Sequence, residues 1–338
     1  MTSHTSQPQL LSRPPFDALP IDPNGPPGNA WGLYGKDDQF GALNLLTPDV
    51  VAAAAAAEIR TGERVSLDWV LTKPSRPSFG RPPFVWKMLP NAEGLTINDD
   101  ELAFNTQCSS QWDGFRHFGY QAAQRFYNNT SREELVGDRL GINVWLEKGG
   151  IVGRGVLLDY AAFCARHNIA SDPFVCAAIP MEHIHQMATE QNLTFRRGDI
   201  LFIRVGFTAA YDKLDADAQT AIALRPDPDF LGVEPSKAML KWLWDNEFAA
   251  VAGDAPSFEQ APVRGHWRAD TLQDHVKDGG MIHQVLLGGW GVPIGELFDL
   301  EKLSATCKRL QRWSFFISSM PLNVPGGVAS PPNAVAIF

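Results

Sequence analysis

The chain has 338 residues, 44% of them hydrophobic and 20% charged, with a formal net charge of −9. This is a globular composition, long enough for one large domain or two moderate ones. The acidic balance argues against a nucleic-acid partner, which needs a basic face. No apolar run is long enough to span a membrane, and the N-terminus has no apolar signal-peptide core. Four scattered cysteines (Cys108, Cys164, Cys176, Cys307) form no Cys-x-x-Cys pair and read as reduced thiols of a cytoplasmic protein.

In chain order, residues 1–30 are rich in Pro, Ser and Gly and read as an extended N-terminal arm. Residues 31–338 read as a single domain. Thr47-Pro48-Asp49 starts a helix, with Thr47 as N-cap and Pro48 in the first turn, and the Ala-rich run 50–60 continues it. A strand is expected over 65–70. Residues 73–100 hold five prolines and no sustained period, the signature of a long functional loop or lid. In it, Phe84, Trp86 and Met88 either line an apolar pocket or pack the loop down.

Ser131-x-x-Glu134 is a candidate capping box. The glycine-punctuated run 149–159 leads into a strand, which excludes a dinucleotide fingerprint, because there a helix should open within the glycines. His183-x-His185 lies in a helical context, where residues two apart face different ways, so these read as surface histidines. Residues 199–207 form a buried strand apolar except for Arg204. Residues 235–246 form an amphipathic helix with Ser236 near its start, and 248–253 form a small strand ending at Asp254, either a site carboxylate or a loop cap.

Chemistry concentrates in residues 105–120, N-T-Q-C-S-S-Q-W-D-G-F-R-H-F-G-Y. Residues two apart on a strand share a face, so Gln111 and Asp113 aim together, and His117 can follow from a turn at Gly114. With Gln107, this set can bind a metal ion and move a proton, or it can be a buried polar network with a satisfied histidine. Cys108 reads as a small packed residue.

The stretch resembles the signature of the cyclase family, which includes bacterial kynurenine formamidases and isatin hydrolases: His-x-Gly-Thr-His-x-Asp-x-Pro-x-His. In register, the first two histidines fall on Gln107 and Gln111, the Asp on Asp113, the Pro on Phe115 and the last His on His117. The Trp-Gly…Thr-Pro opening from Trp31 and the Gly-Arg-Gly-Val-Leu-Leu-Asp run ending at Asp159 are also similar to family segments. So is His283 followed by Leu286-Leu287 and, a dozen residues later, Glu296.

The resemblance implies an α/β (α+β) fold, a mostly antiparallel sheet or barrel-like core with outer helices, and a homodimer or larger assembly. It implies metal-assisted hydrolysis of a C–N bond (amide, formamide or imide) in a small aromatic substrate, with His117 as acid/base. The implied metal ligands are Gln107, Gln111, Asp113, His283 and Glu296. Amide oxygens are harder, weaker ligands than imidazole, so one divalent metal is expected rather than a zinc pair, with manganese favoured over zinc or magnesium. Trp86, Trp112 and Phe115 suit a flat ligand. The alternatives are a lactone hydrolase or cyclase, and a non-catalytic small-molecule-binding protein that keeps the fold without the metal.

Overall fold

Helix α1 (Pro48–Glu58) begins as its sequence dictates, with the Thr47 side chain accepting the Val50 N–H and Pro48 in the first turn. It belongs to a computed structural model that describes residues 13–90, 94–262 and 282–338. The strands are β1 (Arg64–Ser66), β2 (Val85–Leu89), β3 (Asp99–Ala103), β4 (Gln111–Asp113), β5 (Ile151–Asp159), β6 (Ala178–Ile179), β7 (Ile200–Arg204), β8 (Gly232–Val233), β9 (Ala250–Gly253), β10 (Ile294–Glu296), β11 (Ser314–Ser319), β12 (Ala329–Ser330) and β13 (Ala334–Ile337). The remaining helices are α2 (Tyr160–His167), α3 (Met181–Glu190), α4 (Phe207–Tyr211), α5 (Ala216–Ala223), α6 (Lys237–Asp245) and α7 (Glu301–Leu310).

Nine strands form one sheet in the order β1-β13-β11-β5-β7-β9-β10-β4-β12. It curls into a half-barrel with helices outside, the α+β architecture expected from the sequence. The pairs β5–β7, β7–β9 and β9–β10 are parallel and the pairs on both flanks antiparallel, so the sheet is mostly antiparallel. The parallel strands are buried on both faces and accordingly read as apolar runs, such as Ile-Leu-Phe-Ile in β7.

Several local expectations meet a different outcome. The strand expected over 65–70 stops at Ser66, because the Asp68 side chain takes the Ala334 N–H at 2.9 Å in place of a backbone partner. The proline-rich stretch 73–100 contains β2 and the start of β3, which pair only with each other as a hairpin. Apart from half-buried Leu89, the residues of the two strands are exposed on both faces, so no burial contrast wrote an alternation into the sequence. The Ser131/Glu134 capping box forms, with Ser131 N–H donating to Glu134 at 2.7 Å and Glu134 N–H to Ser131 at 3.3 Å, but only turns follow it. From the arm, residues 13–30 lie on the body: Trp244 Nε1 donates to the Pro14 carbonyl and Trp290 Nε1 to that of Gly28. Residues 1–12 and Met281 fall outside the described residues.

One buried ion cluster ties the layers together. Arg154 on β5 donates to Glu58 at the end of α1 (3.0 Å) and to Asp199 before β7 (2.7 Å), and all three are buried. Burial pushes the Asp199 carboxyl up to about 6 against the pull of the Arg154 charge. Removing the guanidinium leaves two buried carboxylates without their cation. Arg154→Met is therefore expected to cost roughly 3–5 kcal/mol, read from the midpoint shift in urea denaturation.

Candidate functional site

The site forms where the parallel part of the sheet turns antiparallel. Strand β10 runs parallel to β9 and antiparallel to β4, with Glu296 opposite Gln111 and Ile294 opposite Asp113. Directly opposed residues on neighbouring strands share a face. That puts Gln111, Asp113 and Glu296 on one side of the sheet. The same alternation sends Trp112 to the other side, where its ring lies 5.1 Å from Phe298 and its Nε1 donates to Ser319 Oγ at 2.8 Å.

His117 follows from a turn in which its N–H donates to the Gly114 carbonyl at 2.9 Å. His283 arrives from the far side of the sequence, immediately before a π-helical turn, Gln284–Trp290. Such turns recur at functional sites because they re-aim side chains. This one is clamped by backbone against backbone: the Gly291 carbonyl accepts the Ala42 N–H at 2.7 Å, and a Cβ on Gly41 would sit 2.0 Å from that oxygen.

Together these elements bring Gln107, Gln111, Asp113, His117, His283 and Glu296 into one cluster. Gln107 Nε2 donates to Asp113 Oδ1 at 2.8 Å and to His117 Nε2 at 3.1 Å. Gln111 Nε2 donates to Glu296 Oε2 at 2.8 Å and reaches Asp113 Oδ1 at 3.5 Å. The amides thus engage one oxygen of each carboxylate.

The other oxygens face His283. Its Nε2 lies 3.1 Å from Glu296 Oε1 and 3.8 Å from Asp113 Oδ2. Asp113 Oδ2 and Gln111 Oε1 are buried without a hydrogen-bond partner. Asp113, His283 and Glu296 each offer a ligand atom, and these atoms all lie within 4.8 Å of one another. One nitrogen, two carboxylates and an unsatisfied amide oxygen form a donor set suited to a hard or borderline divalent ion. These residues fit such an ion. Buried oxygens without a protein partner call for one of some kind.

The electrostatics follow from burial. Burial pushes the Glu296 carboxyl up, as does the Asp113 charge, to about 7, against His283. Burial also opposes charge on His283, but Glu259 and Glu296 outweigh it and hold its pKa well above the ordinary histidine value. His117 is depressed by burial, with Asp113 opposing. Its side chain is 20% exposed where that of Asp113 is 0%, so the cluster opens to solvent at His117.

Glu259 and Arg81 join the site although the sequence reading assigned neither. Glu259 is fully buried, and it accepts from His283 at both Nδ1 (2.6 Å) and the backbone N–H (3.3 Å). A carboxylate on Nδ1 fixes the orientation of the ring and turns Nε2 toward the other two carboxylates. The signal available was an acid just after the β9 strand, in Ser-Phe-Glu259. Arg81 donates to the Gln107 carbonyl at 3.1 Å.

The other candidates lie elsewhere. Trp86 is on the exposed hairpin, with its Nε1 on Asp100 at 2.7 Å. Phe115 is fully buried, its ring 5.1 Å from Tyr127 and 5.3 Å from Trp145. Asp254 is a cap, accepting from Val205, Gly206 and Phe207 N–H at 2.7, 2.7 and 3.0 Å. His183 sits on α3 beside Tyr160 Oη, away from the cluster. Burial raises the Cys108 thiol, which disfavours a nucleophilic thiolate. No helix among the described residues is long and apolar enough to cross a membrane.

No curated protein matches the chain at a significant level. Among solved structures, one described as a novel cyclase superposes with a TM-score of 0.77 at 28% identity, covering 92% of this chain and 99% of its own. An isatin hydrolase bound to the product analogue thioisatinate superposes with a TM-score of 0.57 at 13% identity, covering 85% of this chain and 95% of its own. Isatin hydrolase A from Ralstonia solanacearum gives 0.56 at 15%, covering 86% and 97%. At these identities the two isatin hydrolases show a shared fold. The model of the cyclase family matches residues 38–260, a span that holds Gln107 through His117 while His283 and Glu296 lie beyond it. With well over half of its length matched by that model, the chain belongs to the cyclase family.

Proposed function

We propose that the protein is a metal-dependent hydrolase that opens a C–N bond of a small aromatic amide, formamide or imide. One divalent ion, manganese by preference, is held by Asp113, His283 and Glu296 with Gln111 Oε1 beside them. The observation that carries this reading is the division of labour among the carboxylate oxygens. The glutamine amides occupy Asp113 Oδ1 and Glu296 Oε2, while Asp113 Oδ2, Glu296 Oε1 and His283 Nε2 converge on one place. Two N–H donors stand where a second cation would otherwise meet the carboxylates, hence one ion and not a pair. The isatin hydrolases that share the fold are named for a cyclic aromatic amide, which supports the substrate class.

A divalent ion in such a setting acidifies a water molecule and polarises a carbonyl. The protein's own residues do the rest. Burial lowers the His117 pKa and so favours the neutral imidazole, whose Nε2 can take a proton and pass it to a leaving nitrogen. Gln107 holds the neutral imidazole by donating to Nε2, a bond that must open when that nitrogen takes its proton, and Asp113, 3.7 Å away, stabilises the charged form. Glu259 orients His283. The metal-free binding-protein reading leaves Asp113 Oδ2 buried and unpaired, at a cost of about 1–3 kcal/mol or more.

Elemental analysis of untagged protein, purified without chelators, is expected to find one divalent ion per chain, lost in Asp113→Ala. Two zinc ions per chain would overturn the single-ion reading. Glu259→Gln should weaken metal affinity roughly 10–100-fold, measured by competition with a chelating dye. With a formanilide, imide or lactone that is turned over, His117→Gln should lower kcat by about 10²–10⁴ while metal content stays unchanged. Because burial lowers the His117 pKa, the neutral base persists into acid. The wild-type acid limb of kcat/KM should therefore fall below the ordinary histidine value, and a limb above it contradicts the assignment.

A further inference from the structure

The cluster is acidic, yet a cation stands beside it that pairs with none of its carboxylates. Arg81 lies just before β2 and is partly buried. Its Nη1 donates to the Gln107 carbonyl at 3.1 Å, and the Gln107 side chain in turn touches Asp113 and His117. The guanidinium carbon is 5.1 Å from the Phe79 ring centroid. Among the described residues, the Gln107 carbonyl is its one hydrogen-bond acceptor, and no carboxylate lies within ion-pair distance. Arg154, Arg166, Arg204 and Arg309, by contrast, each hold an acid at 2.5–3.0 Å.

A guanidinium has five N–H donors in a planar fork matched to a carboxylate. One is used here, and that bond holds the group at the edge of the site, on the backbone of the residue whose side chain touches His117. The bond also leaves the rest of the fork available to a ligand. Phe79 is 52% exposed at the same edge and supplies an apolar wall next to the charge. Three carboxylates in the cluster repel an anionic ligand wherever the ion they would hold does not offset them, and Arg81 is a cation beside them that an acid-bearing substrate can use.

We propose that Arg81 is a specificity residue which binds a carboxylate on the ligand, so that the site takes aromatic acids over their neutral isosteres. This rests on the hydrolase reading for its substrate class, but not for its test. The carboxylate comes from one of two sources, an acid group the substrate brings or the acid that C–N hydrolysis creates.

The test is binding of benzoate and of benzamide by calorimetry to manganese-loaded wild type, Arg81→Gln and Arg81→Lys. The wild type should prefer benzoate. Arg81→Gln should weaken benzoate about tenfold or more and leave benzamide within a factor of about two, while Arg81→Lys keeps part of the preference because it retains charge without the fork. Equal weakening of both probes would mean that Arg81 only braces Gln107, and no weakening of either would mean that it faces no ligand; each overturns the proposal. Thermal melting of the variants separates misfolding from loss of the contact. KM for a carboxylate-bearing against a neutral formanilide then separates the two sources: a defect confined to the acid-bearing substrate assigns the substrate's own group, and stronger product release in the variant with neutral substrates assigns the created one. Benzoate discrimination without turnover of any formanilide, imide or lactone would leave this inference standing and remove the hydrolase reading.

Discussion

Three carboxylates, those of Asp113, Glu259 and Glu296, are buried around one imidazole, and the arrangement of the site answers that electrostatic burden. Each carboxylate taken out of water costs several kcal/mol unless it is paired or protonated. The chain supplies N–H donors from two glutamines, an imidazole set between Glu259 and Glu296, and a partly exposed arginine nearby. What stays unmet is one oxygen of Asp113 and one of Gln111. The site is a polar network completed almost everywhere except at a single point.

The sheet makes this possible by joining two kinds of pairing. Parallel strands β5, β7 and β9 form a rigid apolar floor, and β10 carries that floor over to antiparallel β4. The crossing point is where Gln111 and Glu296 stand opposite each other. A slip of one residue between β4 and β10 would turn Gln111 and Asp113 into the core and bring Trp112 to the site. The Trp112–Ser319 hydrogen bond and the Phe298 ring contact on the far face therefore hold the register that the near face needs.

The face shared by Gln111 and Asp113 was legible in the sequence, because strand alternation is a two-residue rule that needs no knowledge of neighbours. That same rule, followed one residue further, puts Trp112 in the core rather than beside a ligand. Helices α1 and α6 were legible for a similar reason: Thr47 and Ser236 cap them with their own side chains. The hairpin β2–β3 was not, since exposure on both faces leaves no pattern. Glu259 was hidden because its meaning depends on a histidine 24 residues away, which arrives on a different element. Arg81 was hidden for a comparable reason, its position being set by a backbone carbonyl 26 residues on.

The two halves of the site are far apart along the chain: Gln111 and Glu296 are separated by 185 residues. During synthesis at about 5–20 residues per second, on the order of ten seconds or more pass between their emergence. Strands β5, β7 and β9 can associate in that interval, and Asp113 meanwhile has neither His283 nor Glu296 beside it. Closing the loop between such distant partners is the slow, entropically costly kind of contact. The site therefore matures after the parallel centre of the sheet, and a nascent chain stalled before β10 would carry paired β5, β7 and β9 with both antiparallel flanks unmade, β4 unpaired and Glu296 missing.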